Sequence, residues 1–294
     1  VCSVAPYRNG SIPADGGNLI LSNQEAEDLL TFCPEAEGYL KEYLGAHGLV
    51  NGLKRYCIWL SGRPDYDDIA CVDVVERIER VADFRAASKK EATREKSAIP
   101  HLFTEDRQPA KGRYLAIPRS TSVRRVYVPI GYLEAEETVA SNDLQIVPNA
   151  GQYEFGILTS RMHNDWMRVV GGRLKSDYRY SATLVYNTYP WPEVSERQRQ
   201  EIEQLGRDVL LARAAHPGKT MAQLYDPDKM PENLLEAHQA LDRAVEKLYR
   251  DRPFRDTAER LEYLLARYEE LIEAEKAANV GGKKKTRKAT TTEG

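Results

Sequence analysis

The stretch Gly172-Arg173-Leu174-Lys175-Ser176-Asp177-Tyr178-Arg179-Tyr180-Ser181 groups residue types that could act on one ligand. If it is extended, side chains two apart share a face. Arg173, Lys175, Asp177 and Arg179 then stand together, while Leu174, Ser176, Tyr178 and Tyr180 point the other way. Three bases and one acid on a strand suit a DNA groove. Arg and Lys donate to guanine O6 and N7 or to phosphate, and Asp accepts from the cytosine amino group. The same pattern describes a solvent-facing strand with internal ion pairs, each contributing about 0–1 kcal/mol. Spacing alone leaves both readings open.

The charge distribution extends the basic theme. The formal net charge of the 294 residues is only -3. Yet Arg107, Lys111, Arg113, Arg119, Arg124 and Arg125 fall between Arg107 and Leu133, with no acid at all over Gln108–Leu133. Arg161, Arg168, Arg173, Lys175 and Arg179 face only Asp165 and Asp177 in the next basic stretch. A near-neutral chain built this way can present a basic face to an anion.

Several chemistries have no visible home. There is no G-x-S-x-G, H-E-x-x-H or G-x-x-x-x-G-K-[ST], no G-x-G, no Asn-Pro-Pro or Asp-Pro-Pro, and no Glu-x-Lys. Cys2, Cys33, Cys57 and Cys71 show no C-x-x-C spacing and no nearby His cluster, which argues against zinc. Four scattered thiols fit a reducing cytoplasm better than a disulfide framework. His163, within a helical pattern, reads as a core or surface histidine. No apolar run approaches the ~20 residues of a membrane span. The start Val-Cys-Ser-Val-Ala-Pro has neither Met nor a signal pattern, as if cut from a longer chain. The residues describe a binding module rather than a self-contained catalyst.

The elements that must position the segment are mixed. Hydrophobic residues at 41% against 30% charged are enough for a core. Ser22…Glu25 has capping-box spacing and opens a helix at Asn23. Residues 55–60 read as a strand. Val74, Val75, Ile78, Val81 and Phe84 give helical spacing over residues 69–95, with Arg77, Arg80, Arg85, Lys89 and Lys90 on other faces. Short strands are expected at 113–117, at 125–130 in an edge position because of Pro129, and at 144–147. One long helix is expected over 153–170, stopped by Gly171-Gly172. Tyr189-Pro190-Trp191-Pro192 marks a boundary. Beyond it come capping boxes at Ser195 and Thr220, a helix from Pro231 to about Tyr249 and another from Asp256 to Ala278. Their stripes Leu234/Leu241/Val245/Leu248 and Leu261/Leu264/Leu265/Tyr268 are expected to pack mainly on each other. The expected organisation is an α/β (α+β) domain over 1–192, an all-α helical domain over 193–280 and a disordered basic tail over 281–294.

Eight phrases carry a family resemblance: Asp15-Gly-Gly-Asn-Leu-Ile-Leu-Ser22, Phe84-Arg-Ala-Ala-Ser-Lys-Lys90, Ile117-Pro-Arg119, Tyr127-Val-Pro-Ile-Gly131, Ile146-Val-Pro-Asn149, Phe155-Gly-Ile-Leu-Thr-Ser160, Gly172–Ser181 and Val185-Tyr-Asn-Thr-Tyr-Pro-Trp-Pro192. The chain, except its tail, resembles the C-terminal part of the MmeI-like (Type IIL) restriction-modification proteins and their stand-alone adenine-N6 DNA methyltransferase relatives. The resemblance implies a target-recognition domain followed by a helical C-terminal domain. It implies an upstream methyltransferase domain that binds S-adenosylmethionine and receives a flipped adenine, with or without a nuclease domain. No cofactor is expected in this chain. The expected partners are double-stranded DNA and that upstream domain, with no membrane.

Residue by residue, the resemblance puts Lys175 and Asp177 on the family's best-defined base-reading position, with Arg179 close by. It puts Ser120, Asn142 and Asp143 on two other reading loops. Arg119, Arg124, Arg125, Arg161 and Arg173 are expected on the DNA backbone. In the sharpest form, Lys175 donates to guanine and Asp177 accepts from cytosine across one G·C pair. The rival reading is an interaction scaffold whose helices dock a partner and whose basic segments are ordinary surface.

Overall fold

Ser22 opens the first helix as its spacing predicts. Its hydroxyl accepts from the Glu25 amide at 3.2 Å, and the Glu25 carboxylate accepts from the Ser22 amide at 2.8 Å. The computed structural model describes residues 6–289, with side chains to residue 278, so Cys2 and residues 290–294 lie outside it. In chain order the first region comprises β1 (Arg8–Asn9), β2 (Ile20–Ser22), α1 (Asn23–Phe32), β3 (Leu40–Leu44), α2 (Ala46–Asn51), β4 (Arg55–Ile58), α3 (Val72–Ala86) and α4 (Glu91–Arg94). It continues with β5 (Arg113–Pro118), β6 (Ser120–Thr121), β7 (Gly131–Glu134), β8 (Thr138–Ala140), β9 (Leu144–Pro148), α5 (Gln152–Thr159), α6 (Arg161–Val170), β10 (Gly172–Leu174) and β11 (Asp177–Arg179). After a π-helical turn at Ala182–Tyr186 the chain is helical: α7 (Glu196–Ala214), α8 (Met221–Leu224), α9 (Glu232–Lys247) and α10 (Thr257–Ala289). The mixed α/β region followed by a helical one is the fold class expected.

Three sheets organise the first region. One has the order β1-β9-β5-β7, the second β2-β4-β3-β8, and the third is the small sheet β10-β11-β6. Strands β5 and β9 are buried on both faces. Leu115 and Ile117 enter the largest core, while Tyr114 and Ala116 face a smaller one shared with Leu44 and Ala140. A separate core joins α1 and α3 to the second sheet through Leu21, Ile58, Val74, Ile78 and Val81. Because β5 runs almost directly into β6, the first sheet delivers the chain into the small one.

Several expectations change for physical reasons. Residues 125–130 form no strand. Their backbone groups are taken by α6 side chains instead: Arg168 donates to the carbonyls of Arg125 and Val126, and the Val128 amide donates to Asn164 Oδ1 at 2.8 Å. The helix expected over 153–170 breaks at Ser160, whose extended backbone (ψ 160°) ends α5 and whose hydroxyl caps α6 at the His163 amide. The second helix does stop at Gly171, but with φ -69° rather than a left-handed cap. A Cβ there would sit 2.4 Å from the Met167 carbonyl oxygen, so glycine serves close approach. The helix expected over 69–95 ends at Ala86. Arg85 is fully buried, its guanidinium donating to the carbonyls of Pro13, Ala14, Lys96, Ile99 and Leu102, while Phe84 is 46% exposed. Cys33 and Cys71 are not scattered. Their Cα atoms lie 6.0 Å apart, within disulfide reach, where the end of α1 meets the start of α3.

The helical region does not pack mainly on itself. α7 packs along α5, α9 along α7, and α10 lies on α6. Ile202, Val209, Leu234, Leu241 and Leu264 therefore share one core with Phe155, Ile157 and Trp166 of the first region. Gly156 permits this approach, since a Cβ there would lie 2.6 Å from Ile202 Cγ2. Leu265, expected in the stripe, is 41% exposed. α10 is helical to Ala289, so the basic stretch expected as a tail begins helical.

Candidate nucleic-acid interface

The 172–179 segment is a hairpin, not a continuous strand. Gly172 pairs with Arg179, Arg173 with Tyr178 and Leu174 with Asp177. Lys175 and Ser176 make the turn, and Lys175 has φ 55°. Direct cross-strand partners share a face, so the expected single face of four charges is corrected. Asp177 and Arg179 lie on one face with Leu174. Arg173 lies on the other, its guanidinium 4.0 Å from the Tyr178 ring centroid. Lys175 stands at the tip. Lys175 and Arg179 are exposed, and among the described residues their side chains make no hydrogen bond or ion pair. Two-residue turns favour Asn or Gly at positive φ, so a lysine held there is strained at the tip of the hairpin.

The small sheet brings together the loops on which base reading is expected. Arg179 is the cross-strand partner of Ser120, and Tyr178 that of Thr121. One residue earlier, the Arg119 carbonyl accepts from the Tyr180 amide at 2.8 Å. Arg119 in turn holds the loop before β9: its amide donates to the Asp143 carbonyl at 3.0 Å and its guanidinium to the Asn142 carbonyl at 2.9 Å. Asn142 and Asp143 are exposed, and the Ser141 hydroxyl bonds the Asp143 carboxylate. Ser120, Asn142, Asp143, Arg179 and Arg119 thus form one neighbourhood from three separate segments.

A cleft of about 430 Å³ opens beside this neighbourhood, lined by Asn9, Arg119, Gln145, Arg173, Arg179 and the 180–184 segment, with no carboxylate among the described lining residues. Gln145 is 2% exposed, and among the described residues its Oε1 has no hydrogen-bond partner. Asn9 and Gln145 escaped the sequence reading. The available signal was one amide within the apolar run Leu144-Gln145-Ile146-Val147, on a strand buried from both sides.

The expected backbone arginines divide. Arg119 and Arg173 line the cleft. Arg125 is half-buried beside Ser120 and Asp143, and burial pulls its pKa down against the opposing charges of Asp177 and Asp226. Arg124 is exposed and bonds Asp228 of the helical region. Arg161 turns inward, 3.4 Å from the buried Asp165, and its amide donates to Asp242 at 2.7 Å, so its place is the seam between the regions. His163 is also structural. Burial holds its pKa down to about 3, and its Nε2 lies 2.7 Å from the Tyr180 hydroxyl, tying α6 to the strand after the hairpin.

The cleft does not fit S-adenosylmethionine. That cofactor's sulfonium and ammonium outnumber its one carboxylate, and the described lining residues offer arginines and no acid to receive them. Among the described residues no helix is long and apolar enough to cross a membrane, and no His, Cys, Asp and Glu cluster could hold a metal ion.

Comparison with known proteins gives a concordant picture. The family model described as MmeI, target recognition domain, matches residues 1–193, and that described as MmeI, C-terminal domain, matches residues 194–274. A protein named DNA methyltransferase A from Bacillus subtilis (strain 168) is 39% identical over 265 residues, 90% of this chain and 30% of that protein. A solved structure of the Type IIL restriction-modification enzyme MmeI in complex with DNA superposes with a TM-score of 0.88 at 38% identity, over 92% of this chain and 36% of that one. The chain thus spans about a third of the length of each relative. It belongs to the MmeI family, as a target recognition domain followed by the family's C-terminal domain.

Proposed function

We propose that this chain reads a short DNA sequence for a larger enzyme. The observation that carries the reading is the convergence of three segments, 119–120, 142–143 and the 172–179 hairpin, beside a cleft with three arginines and no carboxylate. In this reading Lys175, Asp177, Arg179, Ser120, Asn142 and Asp143 would meet base edges. Arg119, Arg124, Arg125 and Arg173 would meet phosphates. Lys175, projecting from the turn, and Asp177, on the strand below it, would take the guanine and cytosine of one pair. The hairpin is a two-stranded ribbon, a shape that a major groove admits.

The parent would be an adenine-N6 DNA methyltransferase of the restriction-modification type, acting in the cytoplasm. Its S-adenosylmethionine site and flipped-base pocket would lie in an upstream domain of the same polypeptide. The support is the DNA methyltransferase named among the relatives and the length by which those relatives exceed this chain. Catalysis is assigned to no residue here.

The test is duplex binding across a salt series. Each phosphate neutralised contributes a slope of about -0.9 in log K against log salt, so four arginines predict about -3 to -4. A random-sequence duplex that shows no binding at low salt would contradict the reading and favour a protein-docking role.

A further inference from the structure

The reading hairpin rests on a chain of contacts that ends in the helical region. Tyr178, on the inner face of β11, is partly buried against the main core. One ring neighbour is Arg173 of the hairpin itself, and another is Arg168 of α6, whose guanidinium carbon lies 5.8 Å from the ring centroid. Arg168 is not free to follow the hairpin. It donates to Asp165 Oδ1 at 3.0 Å and to the carbonyls of Arg125 at 2.8 Å and Val126.

Asp165 is 1% exposed. A carboxylate taken from water there needs several donors. From its own helix Arg168 donates, and Arg161 adds an ion pair at 3.4 Å. The other two come from α10: the Thr257 hydroxyl donates to Asp165 Oδ2 at 3.0 Å, and Arg260 reaches the same oxygen at 3.3 Å. Arg260 is itself fixed by Glu246 of α9 at 2.7 Å. Each oxygen of Asp165 thus faces one way. Oδ1 holds the arginines of α6, one of which touches the hairpin's Tyr178, and Oδ2 is held from the helical region.

We infer that Thr257 and Arg260 are positioning residues for base reading: by fixing Asp165 they fix Arg168, and Arg168 sets the seat of Tyr178 and with it the angle at which Asp177 and Lys175 are presented. The helical region then contributes to sequence choice without touching DNA. The effect is selective. The 142–143 loop is held through Arg119 and the first sheet, not through Arg168. Loosening the relay therefore blurs the base pair read from the hairpin tip and spares positions read from that loop. The inference rests on the proposed DNA-reading function.

The experiment selects duplexes from a randomised pool with the wild-type chain and with Thr257→Val, Arg260→Gln and Arg260→Lys, the last keeping the charge. Thermal unfolding is measured on each, and Tyr249→Phe serves as a control. That control removes the hydrogen bonds of the helical region with the Tyr189 hydroxyl and the Pro190 carbonyl and leaves the four side chains that meet Asp165 unchanged. Thr257→Val and Arg260→Gln are expected to lose about three- to tenfold discrimination at one base position, with partial recovery in Arg260→Lys. Tyr249→Phe is expected to leave the selected sequence unchanged even if it unfolds at a lower temperature. Equal weakening at every position, an unchanged profile in both Thr257→Val and Arg260→Gln, or the same blurring in Tyr249→Phe would overturn the inference. A wild-type chain that selects no sequence would instead refute the DNA-reading function itself.

Discussion

Ser120 and Arg179 sit directly opposite each other across the β6–β11 ladder, although 58 positions separate them in the chain. This pairing joins the loop after the first sheet to the hairpin. It makes a single surface from segments that the sequence could only name one at a time.

The tip of that surface is strained in a way that can be measured. Lys175 occupies φ 55°, where glycine carries no Cβ penalty. Lys175→Gly is expected to leave stability unchanged or raise it by about 0.5–1 kcal/mol in denaturant unfolding. The same variant should lose discrimination at one base position. A clear loss of stability would mean that the lysine stem supports the fold rather than the ligand.

How much was legible in advance follows from how local each signal was. The capping boxes at Ser22, Ser195 and Thr220 are written in four consecutive residues, and all three form. Strand β5 was legible from its apolar run and from Pro118. The break at Ser160 was not, because apolar spacing continues across it and only the serine hydroxyl marks the new cap. The non-strand at 125–130 depended on Asn164 and Arg168, about forty residues away. The hairpin needed its register, which two β-prone arms and a Lys-Ser turn do not announce. Without that register Arg173 was placed on the wrong face, and the burial of Arg161 against Asp165 was equally out of view.

The seam between the two regions predicts a large core effect. Leu241 is fully buried and lies against Gly156 of α5. Leu241→Ala should cost about 2–5 kcal/mol in equilibrium unfolding. A change below about 1 kcal/mol would show that α9 does not share the main core.

Asp242 predicts a pH dependence of the same seam. The residue is partly exposed, but its two carboxylate oxygens face inward, accepting from the Tyr127 hydroxyl at 2.6 Å and the Arg161 amide at 2.7 Å. Burial raises its pKa to about 6 against the weaker pull of those donors, with Glu246 adding to the rise. The folded state therefore holds a proton that the unfolded chain releases near pH 4. This contribution is present below pH 4 and is lost as pH rises through about 6. Asp242→Asn should remove up to about 2 kcal/mol of that slope, seen as the wild-type minus variant difference in unfolding free energy between pH 4 and 7. A difference that does not vary with pH would place the carboxylate in water.

If Lys175 and Asp177 read bases, exchanging their charges changes the base that is chosen. The chain carrying Lys175→Glu with Asp177→Arg keeps one acid and one base but exchanges their places, and each good base contact discriminates by roughly 1–3 kcal/mol. Duplex selection from a randomised pool should show preference at one base position moving from G toward C, with the other positions as in the wild-type chain. Uniform weakening on all sequences, or an unchanged profile, would contradict the account and assign the pair to the DNA backbone or to the fold.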